Sequence, residues 1–322
     1  MLNVNRILFP TDFSPRAEDA FSHAAYLAVT YDAALHVFNV VTPERADEVN
    51  PMDYLPMERA EDGGAVYLDP THLDLGANFP ADNAEPSEVK IRAVYQKMEG
   101  EAPAKSIIDY VNDHDIDLVV MGTHGRQGIE RLINGSVSEE VVRQAPCPVF
   151  TVLGRDEPQP GPSIRRLLVP VDFSDHAYMG VAYGRELATA YGADLDLLHV
   201  VEEVNFPTAY EIDPFAAVSV PDVRDRAREA LEQVAREADM QAVTECHVLT
   251  GHAARDIVDF AEERETDLIV MPTHGRSGLE RFLIGSVTER VMRSASCPVF
   301  TIKSFGRSLL PEGALDADAS AE

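Results

Sequence analysis

The sequence is poor in several residue types that signal particular protein classes: it has no tryptophan, three cysteines and four lysines among 322 residues. Cys147, Cys246 and Cys297 form no CxxC pair and their number is odd, so we expect buried thiols rather than a disulfide or a metal site. No apolar run approaches the length of a membrane span, and residues 1–11 lack the basic and then apolar pattern of a signal peptide. These absences predict a cytoplasmic protein.

Positive charge is also scarce. The chain carries 55 acidic and 27 basic residues, for a formal net charge of −28. Nucleic acids and anionic membranes bind proteins through neutralising cations, so this charge argues against both as partners. Surplus carboxylates with few lysines are typical of proteins that work in concentrated salt, where repulsion is screened over about 3 Å at 1 M. An acidic protein of ordinary salt conditions is the alternative.

The sequence contains an internal repeat. RILFPTDFS at 6–14 returns as RLLVPVDFS at 166–174, and MGTHGR at 121–126 returns as MPTHGR at 271–276. In each copy short apolar runs alternate with segments of helical periodicity, and Ser14, followed by Pro15, is expected to cap the first helix. This alternation predicts an α/β fold in which each half is a doubly wound, Rossmann-like parallel sheet of five strands. With 45% hydrophobic residues, each half is large enough to bury its own core.

The repeat also predicts the domain boundaries. We expect domains over 1–155 and 163–306, a polar linker over 156–162, and a disordered acidic tail over 307–322. The first copy departs from the second over 43–88, where prolines, glycines and acids predict a largely irregular excursion with at most short helical turns. A lid, a domain contact and a loose loop are all open as its role.

A phosphate site is predicted beyond the strand at 116–120. Glycines after that strand let the backbone pass close to a ligand. Ser136-x-x-Glu139 is typical of a capping box, which would start a helix whose free N–H groups and positive dipole end attract anions. Asp12, at the end of the first strand, is expected at the same edge of the sheet, so a crevice should lie between the two strand ends.

With these residues in hand, the chain resembles a tandem universal stress protein. The loop G-x-x-G-x9-G-(S/T) of the ATP-binding branch is matched by Gly122, Gly125, Gly135 and Ser136, and Pro10-Thr11-Asp12 matches the first-strand motif. The resemblance covers both halves apart from the linker, the tail and residues 43–88. It implies an adenine nucleotide alpha hydrolase-like fold.

The resemblance further implies a nucleotide-binding stress or signalling module that takes ATP, or AMP or ADP, with Mg²⁺ accompanying the nucleotide. Asp12 would contact ribose or adenine, the backbone of Val40 would read the adenine edge, and the loop would hold the phosphates. Arg126 and Arg131 carry the charge to neutralise them. The predicted nucleotide-binding residues are Pro10, Thr11, Asp12, Val40, Met121, Gly122, Gly125, Arg126, Gly135, Ser136, Val137 and Ser138.

The second half departs from the motif. Pro272 replaces the first glycine and removes an N–H, and Val171 replaces the threonine and removes a hydroxyl. We therefore expect this half to bind nucleotide weakly or to serve as a scaffold. Its candidate residues are Pro170, Val171, Asp172, Val200, Gly275, Arg276, Gly285, Ser286, Val287 and Thr288.

Other functions remain open at this point. Asp12 and Asp172 are interpreted as hydrogen-bonding groups rather than general bases, and His124 and His274 as structural rather than metal-binding, so no catalytic residue and no protein metal ligand are predicted. A slow ATP hydrolase or adenylyl-transfer enzyme is an alternative, although the loop lacks the Walker lysine. A nucleotide-free interaction scaffold is another. The last strands of the two halves are expected to pair within the chain, and a homodimer is a further option.

Overall fold

The computed structural model describes residues 1–14, 17–42, 57–59, 66–68, 90–123, 136–154, 161–202, 220–237, 243–275 and 284–311. The elements of the first half are β1 (Arg6–Pro10), α1 (Glu18–Thr30), β2 (Ala34–Val41), β3 (Met57–Arg59), β4 (Val66–Leu68), β5 (Ile91–Glu99), α2 (Pro103–Asp113), β6 (Leu118–Gly122), α3 (Ser136–Gln144) and β7 (Val149–Val152). Those of the second half are β8 (Arg166–Pro170), α4 (Asp175–Tyr191), β9 (Asp194–Glu202), α5 (Val220–Glu237), β10 (Val243–Gly251), α6 (Ala253–Glu263), β11 (Leu268–Pro272), α7 (Ser286–Ser294) and β12 (Val299–Ile302).

The strands of both halves join in one sheet in the order β10-β9-β8-β11-β12-β7-β6-β1-β2-β5-β4-β3. Within each half the five main strands are parallel, and the chain steps outward from the first strand on one side before it crosses to the other. This reversal of strand order beside β1 and β8 is the signature of a doubly wound α/β sheet. The predicted fold class is confirmed.

The halves meet along their last strands. β7 and β12 are antiparallel, with Phe150 opposite Phe300. The hydroxyl of Thr151 donates to the Val299 carbonyl and that of Thr301 to the Val149 carbonyl, each at 3.0 Å. Because this pairing is antiparallel, the parallel strands of the two halves run in opposite directions, and their carboxyl ends lie at opposite ends of the sheet.

Helices cover both faces of the sheet. One apolar cluster includes residues of α1, α4 and α5, and the other includes residues of α2, α3, α6 and α7. Across the junction of the halves, the rings of Tyr26 and Tyr191 stack at 4.7 Å and the Tyr26 hydroxyl donates to the Ala190 carbonyl at 2.8 Å. None of the helices in the described ranges combines the length and apolar character that a membrane span requires.

The first helices of the two halves begin differently. In α4, Ser174 is the N-cap and its Oγ accepts from the Ala177 N–H at 3.3 Å. In the first half we predicted Ser14 as the cap, but α1 begins at Glu18 after Ala17, and the buried Ser14 Oγ has no hydrogen-bond partner among the described residues. The prediction is wrong at this position because a single turn, in which the Ala17 N–H donates to the Ser14 carbonyl at 2.9 Å, precedes the α-helix.

The excursion over 43–88 also differs from the prediction where it is described. It contributes two short antiparallel strands, β3 and β4, and β4 pairs with β5. We predicted no strand there. The parallel strand β5 has one edge free to accept a further strand, and three residues are enough to bond to it. The rest of that segment lies outside the described residues.

Part of the predicted tail is ordered. Residues 307–311 contact both halves: the Asn3 N–H of the first half donates to the Leu309 carbonyl at 2.7 Å, and the Leu309 N–H donates to the Tyr183 hydroxyl of the second half at 2.6 Å. The side chain of Leu309 is 1% exposed. Disorder was predicted from the acidic composition, but two leucines at its start supply apolar surface to bury. Residues 312–322 lie outside the described ranges.

Two of the three predicted thiols are deeply buried. Cys147 and Cys297 are buried free thiols, and Cys246 is half-buried. Burial raises the pKa of both Cys147 and Cys297 to about 12. Burial also raises the pKa of Cys246. All three cysteines are therefore expected to be neutral and unreactive at physiological pH.

We expect Leu309→Ala to lower the free energy of unfolding by about 3 kcal/mol, because it removes a fully buried side chain from a segment that joins the two halves. Urea denaturation of parent and variant measures the change. Met98→Ala, at a side chain 36% exposed, is the control and should cost much less. Equal stability of Leu309→Ala and parent would show that this segment is not packed in solution.

Candidate functional site

The candidate site of the first half lies where strand order reverses. β1 pairs with β2 on one side and β6 on the other, so Asp12, just beyond β1, and Gly122, at the end of β6, reach the same edge of the sheet. The helices that follow these two strands, α1 and α3, lie on opposite faces of the sheet. In doubly wound sheets the ligand crevice lies between two such strand ends, so we expect it here, between Asp12 and Gly122.

The turn after β1 is fixed by hydrogen bonds to the neighbouring strand. The Thr11 N–H donates to the Phe38 carbonyl at 2.9 Å, and the side-chain amide of Asn39 donates to the Thr11 carbonyl at 2.7 Å. Within the turn, the Thr11 hydroxyl accepts from the Phe13 N–H at 2.9 Å, and Asp12 Oδ1 accepts from the Ser14 N–H at 3.0 Å. The half-buried Asp12 carboxylate is thereby held at the mouth of the crevice.

The second half repeats this turn. The Val171 N–H donates to the Leu198 carbonyl at 2.8 Å, and His199 Nδ1 bonds the Val171 carbonyl at 2.7 Å, which requires the proton on that nitrogen. Asp172 Oδ1 accepts from the N–H and the hydroxyl of Ser174, at 3.1 and 2.5 Å. The carboxylates of both halves are thus held by the same local geometry, although threonine and asparagine have been replaced.

Backbone strain accompanies both turns. Phe13 and Phe173, the residues after the two aspartates, have φ angles of 54° and 58°. A bulky side chain with positive φ is uncommon and costs free energy, so it persists only where the surroundings enforce it. Its recurrence in both halves supports a functional rather than accidental conformation of the two turns.

The sequence reasoning missed two residues that fix these turns, Asn39 and His199. Both are polar residues flanked by apolar residues near the ends of their strands, and they lie at matching positions of the repeat. That contrast was the available signal. Their role here is structural: each ties the carbonyl that follows β1 or β8 to the adjacent strand.

In the second half, several hydrogen-bond donors of the predicted phosphate motif after β11 are bonded within that segment. The Gly285 N–H donates to the Thr273 carbonyl at 2.8 Å, and the Thr288 hydroxyl donates to the Pro272 carbonyl at 2.9 Å. Pro272 itself has no N–H. Three of the groups that could have faced a phosphate are therefore absent or engaged in this half.

Two close approaches shape the same crevice. A Cβ atom on Gly275 would lie 2.4 Å from Asp172 Oδ2, so this carboxylate packs directly against the glycine backbone. A Cβ atom on Gly180 would lie 3.3 Å from Pro272 Cδ. The first half has Ala20 and Gly122 at the positions of Gly180 and Pro272. In the first half the larger residue of the pair is Ala20, on the helix. In the second half it is Pro272, at the strand end. The space between helix and strand end is therefore filled in both halves.

The helix starts of the two phosphate motifs can be compared with the predicted capping box. α7 begins at Ser286 with Gly285 as N-cap and no side-chain cap among the described residues, and Glu289 pairs with Arg293 at 2.8 Å. α3 likewise begins at Ser136 rather than after it, and Glu139 also pairs with Arg293 at 2.8 Å. The glutamates were assigned to the helix starts, but a guanidinium between the two helices attracts both carboxylates.

The remaining predicted residues divide into three groups. Gly125, Arg126, Arg131, Gly135, His124 and Arg276 lie outside the described residues. Pro10, Thr11, Met121, Ser138, Val171, His274 and Thr288 are buried. Asp12, Val40, Gly122, Val137, Pro170, Asp172, Val200, Gly275, Gly285 and Val287 are half-buried, and Ser286 is exposed.

Of these, His274 and Met121 make contacts that suit structural roles. His274 Nδ1 is 3.0 Å from the Thr273 hydroxyl and its ring is in edge contact with Phe305. Met121 packs in the apolar cluster between the sheet and α2 and α3.

A cluster of acidic residues and histidine lies elsewhere, near the amino ends of β9 and β10. Asp196, Glu245 and His247 bring potential metal-ligating atoms within 4.8 Å of one another. Arg264 already donates to Glu245 at 2.8 Å and to Asp196 at 3.3 Å. Because a fixed cation lies among the carboxylates, we interpret this cluster as an ion-pair network.

Comparisons with known proteins agree with this architecture. A model of the Universal stress protein family matches residues 3–152 and 163–303. Universal stress protein MJ0531 of Methanocaldococcus jannaschii is 34% identical over 140 residues, which cover 43% of this chain and 82% of that protein. Universal stress protein Rv2623 of Mycobacterium tuberculosis H37Rv is 26% identical over 304 residues, which cover 92% of this chain and 96% of that protein.

A solved structure also spans both halves. The crystal structure of a universal stress protein from Archaeoglobus fulgidus DSM 4304 is similar with a TM-score of 0.56 at 21% identity, covering 94% of this chain and 97% of that one. At this level of identity the similarity shows a shared fold.

We expect Gly275→Ala to lower the free energy of unfolding by about 1–2 kcal/mol, because the new methyl group would displace a carboxylate held by two hydrogen bonds. In an Asp172→Ala background the same substitution should cost less. Urea denaturation of the four proteins gives the interaction energy. Gly285→Ala, whose added Cβ would be 3.4 Å from its nearest neighbour, is the control. Strictly additive effects would show that the carboxylate does not pack against Gly275.

Proposed function

Because the chain belongs to the universal stress protein family, we propose that its first half binds an adenine nucleotide in the crevice between β1 and β6. The observation that carries the proposal is the turn after β1, in which hydrogen bonds and a strained residue hold Asp12 beside the end of β6. A fixed carboxylate at that position suits the hydroxyl groups of a ribose. The intact glycine motif beyond β6 suits a polyphosphate.

In this proposal, different residues at one edge of the sheet bind different parts of the nucleotide. Asp12 accepts hydrogen bonds from the ribose or the adenine amino group, and the backbone of Val40 borders the base. Phosphates lie at the amino end of α3, where Ser136, Val137 and Ser138 offer backbone N–H groups and Ser136 adds a hydroxyl. ATP with Mg²⁺ is the proposed ligand, and AMP and ADP are tested beside it.

We further propose that the second half is mainly a scaffold. Its Gly285 N–H and Thr288 hydroxyl donate within their own loop, and Pro272 lacks a donor. A phosphate would have to displace those bonds, which lowers its affinity. On this view the two domains, 1–155 and 163–306, pair inside one chain as the two subunits of a homodimer would. The cytoplasmic location stays a prediction.

The function proposed is a binding module that signals through its nucleotide state, without rapid catalysis. Mass spectrometry of the purified, denatured protein is expected to find adenine nucleotide at no more than one equivalent per chain. Turnover of labelled ATP with and without Mg²⁺ tests the enzyme alternative. Release of product from ATP within seconds would favour the hydrolase, and an empty protein that binds no added ATP would favour the nucleotide-free scaffold.

We predict that Ser136→Ala weakens ATP binding about tenfold, because a hydroxyl bound to a phosphate oxygen is a hydrogen bond to a charged group. Isothermal titration calorimetry with Mg²⁺ and ATP measures the affinity. Ser286→Ala is the matched control, since it makes the same change 150 residues later in the second loop, and it should leave the main affinity unchanged. If Ser286→Ala is the variant that weakens binding, the nucleotide lies in the second half and the proposal is wrong.

A further inference from the structure

Lys303 makes an unusual contact between the two halves. It follows β12 directly, its side chain is buried with the residue 4% exposed, and its ammonium donates to the carbonyl of Val142. Val142 lies in the last turn of α3, which belongs to the first half. A cation from the second domain is therefore bonded to the helix whose other end is the proposed phosphate site.

The antiparallel junction explains how this contact arises. α3 starts at the carboxyl end of the first half's strands and runs back along the sheet to their amino end. There, the strands of the second half finish, so Lys303 emerges from β12 beside the end of α3. The ring of Phe305 lies 5.8 Å from the ammonium and 6.0 Å from the ring of His274, in the second crevice.

The chemistry at this contact suits a cation. The last carbonyls of a helix have no partner within the helix and form its negative end, so a lysine there stabilises it. Burial disfavours the charged ammonium and lowers the pKa of Lys303 to about 8. The other titratable group facing it, the Cys147 thiol, has a pKa raised by burial to about 12 and stays neutral. Asp117 and Arg307 are the charged groups that act on that thiol.

The repeat supplies no matching cation in the first half. The position that corresponds to Lys303 is Leu153, whose apolar side chain has no charge to offer the end of α7. The chain has only four lysines, and this one is buried. The lysine is therefore present on one side of the junction and absent from the other. The helix that it contacts, α3, is the one that follows the intact phosphate motif.

We propose that Lys303 is a positioning residue for the first crevice, contributed by the second half: it fixes the carboxyl end of α3 and thereby holds the amino end of that helix toward the nucleotide phosphates. This inference rests on the proposed function. Under this inference the second half supports the first site without itself binding nucleotide. Lys303 touches no ligand and acts through α3.

Three variants test the role of Lys303. Lys303→Met should weaken ATP binding about fivefold, as expected for loss of a cation at a helix end, and Lys303→Arg should restore most of the affinity. Arg307→Ala is the matched control, because Arg307 pairs with Asp115 and Asp117 of the first half and lies on the same segment. It should leave the ATP affinity unchanged even if it lowers stability. Calorimetric titration at pH 7 measures all three, and parent-like affinity of Lys303→Met overturns the inference.

A pH profile separates positioning from a general loss of stability. Between pH 7 and pH 9 the folded parent loses the Lys303 proton, so its ATP affinity should fall about threefold relative to Lys303→Arg, which stays charged over that range. The same ligand is used for both proteins, so its own titration cancels in the comparison. Parallel profiles would contradict the inference.

Hydrogen exchange provides a readout that does not need nucleotide. In Lys303→Met the amides of residues 137–144 should exchange faster than in the parent, while those of 287–294 in α7 should not change. Unchanged exchange in α3 would show that Lys303 does not hold this helix, whatever the protein binds. A parent that fails to bind ATP would instead count against the proposed function, and the exchange result would still decide the role of Lys303.

Discussion

The antiparallel pairing of β7 with β12 is the constraint on which the rest of the molecule depends. Two parallel sheets, each with an exposed last strand, become one continuous sheet through three residue pairs and two threonine hydroxyls. An unpaired apolar strand edge would otherwise invite association with other chains. Because this pairing is antiparallel, the carboxyl ends of the parallel strands of the two halves lie at opposite ends of the sheet, and the last turn of α3 contacts Lys303 just after β12.

The turns at the two crevices share a backbone conformation but differ in sequence. The turn after β1 and the turn after β8 share a positive φ angle and a carboxylate bonded to the serine two residues later. The two turns differ in the side chains that surround them. Val171 stands where the first half has Thr11, and hydroxyl and amide groups of the second loop donate to carbonyls of that same loop. The conformation of this turn is therefore kept although the side chains around it differ.

The sequence predicted most of the fold. Short apolar runs separated by helical periodicity, repeated twice, are sufficient to define parallel strands, and the motif residues fall at strand ends where ligands bind. The prediction failed where weak local signals compete with tertiary contacts. β4 forms because the edge of β5 is available, and Glu139 of α3 forms an ion pair with Arg293 of α7. No pattern within one helix reveals a cation on another.

Net charge makes the placement of the remaining cations informative. A polyphosphate that approaches a chain with a charge of −28 is repelled at long range unless salt screens the repulsion. Backbone N–H groups at a helix start attract anions without adding a positive side chain, which suits a protein with so few lysines. The ammonium of Lys303, buried at the opposite end of α3, lies at the negative end of that helix and stabilises it. Lys303 of the second half thus contacts the carboxyl end of α3, the helix whose amino end we propose as the phosphate site.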